Sequence, residues 1–297
     1  MVAESTADAG ESTWPWRWDL LLRFRYIEIL ALWEGRLTTR HLCESFGIGR
    51  QQASKDLATY RRQVGPGNLH YDKHRKGYAP TAAFRPQLTR GVADEYLQLA
   101  ARNRELSDVF ESLSLTLERV EMLHLPLRDV TPLLLRPLLR AAREQRRIEV
   151  DYVSVSNPDR EGRIIVPHTL VHTGTRWHVR AWCEKNRAYR DFVLSRFRGE
   201  PELLDGSSHG DGDDRGWHTP VEIRVTPDPR LSPGQREVVA TDYGMRGGQL
   251  VLATRGCLVH YALQRLQLDP GHRRSDPIAQ QLVVANLPQL RPWLFSG

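Results

Sequence analysis

Cysteine is scarce: Cys43, Cys183 and Cys257 are scattered over 297 residues. An odd number with no CxxC spacing makes neither a disulfide framework nor a zinc-cysteine knuckle, and fits a reducing compartment. No apolar run reaches the roughly 18 residues of a membrane helix, and Thr131–Leu139 is cut by Arg136. The first 13 residues have no basic n-region and no apolar h-region, so a short disordered leader, a cytoplasmic location and no membrane partner are expected. There is no P-loop or GxGxxG motif. Eleven histidines include no HxH pair. Asp211 and Asp213, with Glu222 at the twelfth place, imitate a calcium loop, but Arg215 at the fifth place cannot ligate. Neither a metal, a cofactor nor a catalytic residue is expected.

Base is in excess, and unevenly so. Forty-two Lys and Arg against 36 Asp and Glu give a formal +6. Residues 36–80 hold nine bases against three acids, the net charge of the whole chain in one stretch. Residues 146–199 hold 11 against six, and 200–219 then hold six acids against Arg215 alone. Two separate basic regions imply anionic partners at two places, one of them near the nucleoid.

The element reading begins with an apolar helix over 19–34, with Asp19 as its N-cap. A second helix, capped by Thr38 or Thr39, runs to Phe46. Gly47-Ile48-Gly49 makes a tight turn, and a third helix runs from Arg50 to Val64. Its Ala53, Leu57, Tyr60 and Val64 are spaced four, three and four, which is one buried stripe. Two short strands, 68–72 and 77–81, flank the basic turn Lys73-His74-Arg75-Lys76. Residues 89–146 read as helical and leucine-rich, with Pro126, Pro132 and Pro137 as punctuation. Strands follow at 148–156, 163–168, 176–183 and 190–196, which suggests a small barrel or a strongly bent sheet. Residues 204–219 read as a linker. The tail alternates strand 221–226, helix 232–241, strand 249–254, helix 256–266 and strand 282–285, a small α+β domain.

Three helices, a glycine turn and a basic two-stranded wing have the order of a winged helix-turn-helix. A helix fits the major groove, and its outward side chains must be donors and acceptors that reach base edges. Arg50, Gln51, Gln52, Ser54 and Lys55 are of the right types, with Arg61 further along the same helix. Lys73, Arg75 and Lys76 on the wing would lie against phosphates. In the later strands, alternation groups Tyr152, Ser154 and Ser156, and separates Trp177, Val179 and Ala181 from His178, Arg180 and Trp182. Arginines on strands beside hydroxyls and His168 could converge on an anionic ligand. They could equally be surface arginines paired with Glu149, Asp151 or Asp191.

The run RWHVRAW at 176–182, followed by RDFVLSRF at 190–197, resembles the core of WYL-domain transcriptional regulators. It is similar to the repressors found beside BREX and CBASS phage-defence operons. YVSVS at 152–156 and VPHTLV at 166–171 fit the same pattern, and the likeness covers nearly the whole chain. The eponymous Trp-Tyr-Leu is Trp177-His178-Val179 here, which leaves the role of His178 open. The resemblance implies an α+β multidomain protein. Its winged helix-turn-helix would occupy 14–85, a helical connector and dimerisation segment 86–145, and an Sm-like β-barrel WYL domain 146–203. A small α+β extension would follow at 220–297. It implies a homodimer on a double-stranded, inverted-repeat DNA operator, and a nucleotide or nucleic-acid effector. Carried over residue by residue, the effector pocket would be Tyr152, Ser154, Ser156, His168, Arg180, Arg190, Phe192 and Arg196, with Trp177 and Val179 in the core. Two alternatives share these residues: an activator of the same build, and a nucleic-acid-processing enzyme using His168 with Arg180 and Arg190.

Overall fold

The computed structural model describes residues 15–107, 113–115, 117, 119–121, 123, 128, 130–156 and 158–295. The leader at 1–13 and the middle of the expected connector, Pro126 included, lie outside these residues. The chain divides into two compact units, Met1–His124 and Leu125–Gly297.

In the first unit, α1 (Trp18–Ile29) continues into a π-helical turn, Leu30–Glu34, closed by Gly35 in the left-handed region. Arg17 stands at the N-cap, so Asp19 falls in the first turn, where it pairs with Arg17 and Arg23 instead of capping. Helices α2 (Thr39–Phe46) and α3 (Arg50–Thr59) are joined by Gly47 at φ 59° and by Gly49 at the α3 N-cap. A π-helical turn, Tyr60–Val64, extends α3, and β1 (Leu69–Asp72) pairs antiparallel with β2 (Gly77–Pro80) to form the wing. The stripe Ala53, Leu57, Tyr60 and Val64 is buried against Phe24, Ile27, Leu30 and Leu42, as the spacing requires.

Two buried acids brace this unit. The Arg23 guanidinium donates to Asp56 at 2.7 Å, tying α1 to α3. Glu28, fully buried, accepts from the Tyr60 hydroxyl and from the backbone N–H groups of Gln87, Leu88 and Thr89, which fixes the chain just past the wing. Helix α4 (Ala93–Ser107) follows, with Glu95 on Arg25.

The second unit opens with α5 (Pro132–Glu144), capped by the Thr131 hydroxyl. Its Leu134, Leu138 and Ala141 are buried with Ile148, Val150, Ile165 and Val179 of the following sheet. Helix α5 therefore belongs to the sheet's core, and the single helical stretch expected over 89–146 is two helices in different units.

The sheet has five antiparallel strands in the order β6-β5-β4-β3-β7: β3 (Arg146–Tyr152), β4 (Glu161–His172), β5 (Trp177–Cys183), β6 (Ala188–Val193) and β7 (Phe197–Gly206). It is open, not a closed barrel: among the described residues β6 and β7 do not pair. It is nonetheless strongly bent. Leu194–Arg196 alone link the two edge strands, a reach of at most about 14 Å. A flat sheet would hold its edges about 19 Å apart. The edges curl toward each other, and the Val193 N–H meets the Tyr152 hydroxyl at 3.1 Å across the gap.

Residues 204–219 are structured and do not form a linker. Strand β7 runs to Gly206, and Asp214 caps the one-turn helix α6 (Arg215–His218) through the Trp217 N–H. A smaller sheet, order β10-β8-β9, completes the chain with β8 (Pro220–Pro227), β9 (Leu250–Arg255) and β10 (Leu282–Val284). It carries α7 (Pro233–Asp242) and α8 (Val259–Arg265), over a core that includes Ile223, Val225, Val239 and Leu263.

Candidate functional sites

In the first unit the α2–turn–α3 geometry leaves one helix face outward. Arg50, Gln51, Gln52, Ser54 and Lys55 are exposed on the first turns of α3, while Ala53, Asp56 and Leu57 face in. Gln52 donates to Asp56 at 2.6 Å, so the same carboxylate that holds Arg23 also orients a residue of the outer face. Arg61 is exposed on the turn after α3, with its guanidinium 5.1 Å from the Tyr78 ring centroid.

The wing turn presents Lys73, Arg75 and Lys76, all exposed. Asp72 accepts from the N–H groups of His74 and Arg75, and Arg36 donates to the Arg75 carbonyl at 2.8 Å. The turn is thus held while its cations point outward. All nine residues expected to meet DNA are on the surface, on two adjoining elements.

The expected effector residues fare differently. Tyr152 and Phe192 are core residues, with ring centroids 5.0 Å apart and Phe197 against Tyr152. They face the interior because the bent sheet folds that side over its own core. Ser154 and Ser156 lie 3.2 Å from each other beyond the end of β3, and Arg196 lies on the link between β6 and β7. Trp177, expected in the core, is 53% exposed at the start of β5, tilted against His172; Val179 is buried as expected.

Arg180 and His168 meet at a buried carboxylate that sequence reasoning passed over. Arg180, 6% exposed, donates to Asp214 through Nε at 2.5 Å and Nη2 at 2.9 Å, and to Asp191 through Nη1 at 3.1 Å. His168 lies in a bulge of β4, with Nε2 3.2 Å from Asp214 and Nδ1 2.8 Å from the Thr169 hydroxyl. The Tyr261 hydroxyl, from α8, donates to the other oxygen of Asp191 at 3.1 Å. Burial alone would raise the Asp214 carboxyl, but the bonds from His168 and Arg180 outweigh it and hold the group far below the usual carboxylate range. Burial also pushes the neighbouring Cys257 thiol up to about 11, so it stays protonated.

Beside this cluster lies a cavity of about 500 Å³, lined by Arg180, Tyr189, Arg190, Asp191, Tyr261 and Phe295 among others. Arg180 and Arg190 are the two residues of the expected effector set that line it. Arg190 is exposed and makes no ion pair among the described residues. His178, whose role was left open, is buried and packs on Tyr261 with ring centroids 5.2 Å apart, joining β5 to α8.

A polar helix face backed by a buried stripe, with a basic hairpin beside it, defines a winged helix-turn-helix protein. Comparison with known proteins carries this further. Residues 19–102 match the BrxR transcriptional regulator winged helix-turn-helix domain, 134–199 the WYL domain, and 220–290 the BrxR transcriptional regulator C-terminal dimerization domain. The chain is 34% identical over 274 residues to the DNA-binding transcriptional repressor CapW of Escherichia coli (strain KTE188), covering 91% of this chain and 90% of that one. It is 31% identical over 279 residues to CapW of Stenotrophomonas maltophilia, covering 94% and 93%, and 31% identical over 279 residues to CapW of Pseudomonas aeruginosa, covering 93% and 92%. The chain belongs to this family of WYL-domain transcriptional regulators.

Proposed function

We propose that this chain is a homodimeric transcriptional repressor of a phage-defence operon. It reads an inverted-repeat operator through α3 and the wing, and responds to a phosphate-bearing nucleotide or nucleic-acid fragment at the cavity beside Arg190. In this reading 14–85 contacts DNA, 86–145 connects the units, 146–203 senses and 220–297 dimerises. The names of the relatives support the output. The observation that carries the DNA half is the exposed quintet Arg50, Gln51, Gln52, Ser54 and Lys55, backed by a fully buried stripe. Arginine pairs with guanine and glutamine with adenine through two hydrogen bonds each, and the wing cations neutralise phosphates. A two-fold dimer places two such helices on half-sites about 34 Å apart, or a multiple of that.

The test is binding of the purified protein to a duplex from upstream of its own reading frame. Affinity should fall steeply with salt, at a slope in log–log near −0.9 per phosphate contacted. Affinity indifferent to salt removes the reading. A reporter under the same promoter separates repression from activation. The enzymatic alternative loses support from His168, whose two ring nitrogens are both engaged and whose side chain is buried. Labelled single strands incubated with the protein test it, since cleavage that vanishes in His168→Ala would revive it.

A further inference from the structure

Asp214 comes from the acidic, glycine-rich stretch after β7, yet its side chain is buried and its carboxylate receives both arms of the Arg180 fork. A guanidinium donating two parallel N–H groups to two oxygens is also the geometry in which arginine grips a phosphate. The stretch approaches Arg180 closely because residue 216 is glycine: a Cβ there would stand 3.0 Å from Arg180 Nη2 and 3.2 Å from Cys257 Cβ. The far side of α6 is bound to the C-terminal sheet. Arg255, at the end of β9, donates to the Trp217 carbonyl at 2.6 Å and lies 4.3 Å from that indole's centroid. The Gly256 N–H donates to the Thr219 carbonyl at 2.9 Å.

We propose that the Asp214 carboxylate is a built-in anion on the fork the effector's phosphate needs. Effector and Asp214 then compete for Arg180, and release of Asp214 moves α6 and, through Arg255 and Gly256, the edge of the C-terminal sheet. This rests on the reading that the cavity beside Arg190 takes a phosphate. Arg190 at the cavity wall makes the first contact, and Arg180 behind it makes the one that switches. Removing Asp214 leaves a buried guanidinium with Asp191 alone to compensate it, a site that prefers an added anion. Competition also sets sensitivity. If Asp214 is displaced one time in about a hundred, apparent effector affinity is weakened about a hundredfold relative to an open site.

The experiment uses inorganic pyrophosphate as probe, and thermal melting of the full-length wild type, Asp214→Ala, Asp214→Asn and Arg190→Ala. The proposal expects saturable stabilisation of both Asp214 variants at pyrophosphate concentrations at least about tenfold below those the wild type needs. A wild type that responds, loses the response in Arg190→Ala and responds no more strongly in either Asp214 variant overturns the competition and leaves the phosphate cavity standing. No response in any protein overturns both. Should both Asp214 variants fail to fold, hydrogen exchange on the wild type decides. Saturating pyrophosphate should speed exchange at the amides of Trp217, His218 and Gly256, and unchanged exchange there overturns the proposal.

Discussion

Helix α3 and strand β5 both carry cations that sequence patterning marks for an anionic partner, and the structure treats them in opposite ways. On α3 the marked residues stand in solvent, and among the described residues only Gln52 is tied down, by Asp56. On β5 the marked Arg180 is buried and saturated with carboxylates, and its neighbours His178, Val179 and Ala181 are buried as well. One element is ready to bind as it stands. The other is already satisfied from within, so a ligand must displace something. A surface that reads DNA needs its donors free before encounter, whereas a sensor that keeps its donors paired until the signal arrives is silent without it. On the function proposed above, that difference assigns recognition to the first unit and switching to the second.

The sharpest way to break this contrast is to remove the outward-facing donors. Arg50→Ala and Gln52→Ala should each weaken operator binding roughly 10- to 100-fold, a bidentate base contact being worth about 1–3 kcal/mol. The double variant should be silent in a gel-shift assay while eluting as the same dimer. Unchanged affinity in the double variant would show that α3 does not face DNA. The residues backing the helix come next. Asp56→Ala leaves Arg23 buried with only the half-exposed Asp19 to pair with, at a cost of about 3 kcal/mol. Urea unfolding should show that loss, and operator affinity should fall as well, because Gln52 loses its anchor. Smaller again is the wing. Lys73→Ala should lower affinity for operator and for unrelated duplex alike and reduce the salt slope by about one. Loss confined to the operator would mean that Lys73 reads bases.

The contrast also explains what was legible in the sequence. The winged helix could be read from spacing because its determinants are local. Ala53, Leu57, Tyr60 and Val64 form a stripe whatever lies elsewhere in the chain, and everything opposite it must face out. The tail domain followed from similar alternation. The sheet resisted for three reasons. Strand β5 is covered on one face by the core around Val179 and Ala181 and on the other by Tyr261, Asp214 and His209, so alternation says which residues share a side but not which side is open. The bulge at His168 breaks the period of β4. Among the described residues strand β7 pairs with β3 alone, and it carries Arg198, Gly199, Glu200, Pro201 and Glu202, a composition suited to an edge and easily taken for the start of a linker. Asp214 was hidden for the same reason: in a run of Gly, Ser and Asp nothing local marks the one acid that turns inward. Its cap on Trp217 is the only local signal, and that pattern is common in turns.

The smallest expected effect concerns His178, which stands where the family's signature has tyrosine. Burial holds its imidazole below the usual histidine range, so between its folded value and the ordinary 6.5 the unfolded chain binds more protons than the native one. Stability is then complete above about pH 6.5 and declines as the pH falls below it. Asp214 adds nothing to this slope: its carboxyl is depressed in the fold, so its contribution is lost only as the pH drops below about 4. Urea midpoints between pH 7 and 5 should therefore fall in the wild type and fall less in His178→Tyr. The flattening will be partial, because burial depresses His260 in the same unit and His41 in the first. If His178→Tyr instead steepened the decline, the imidazole would be charged against Tyr261 and Asp191, and β5 would be holding α8 through an ion pair instead of through packing.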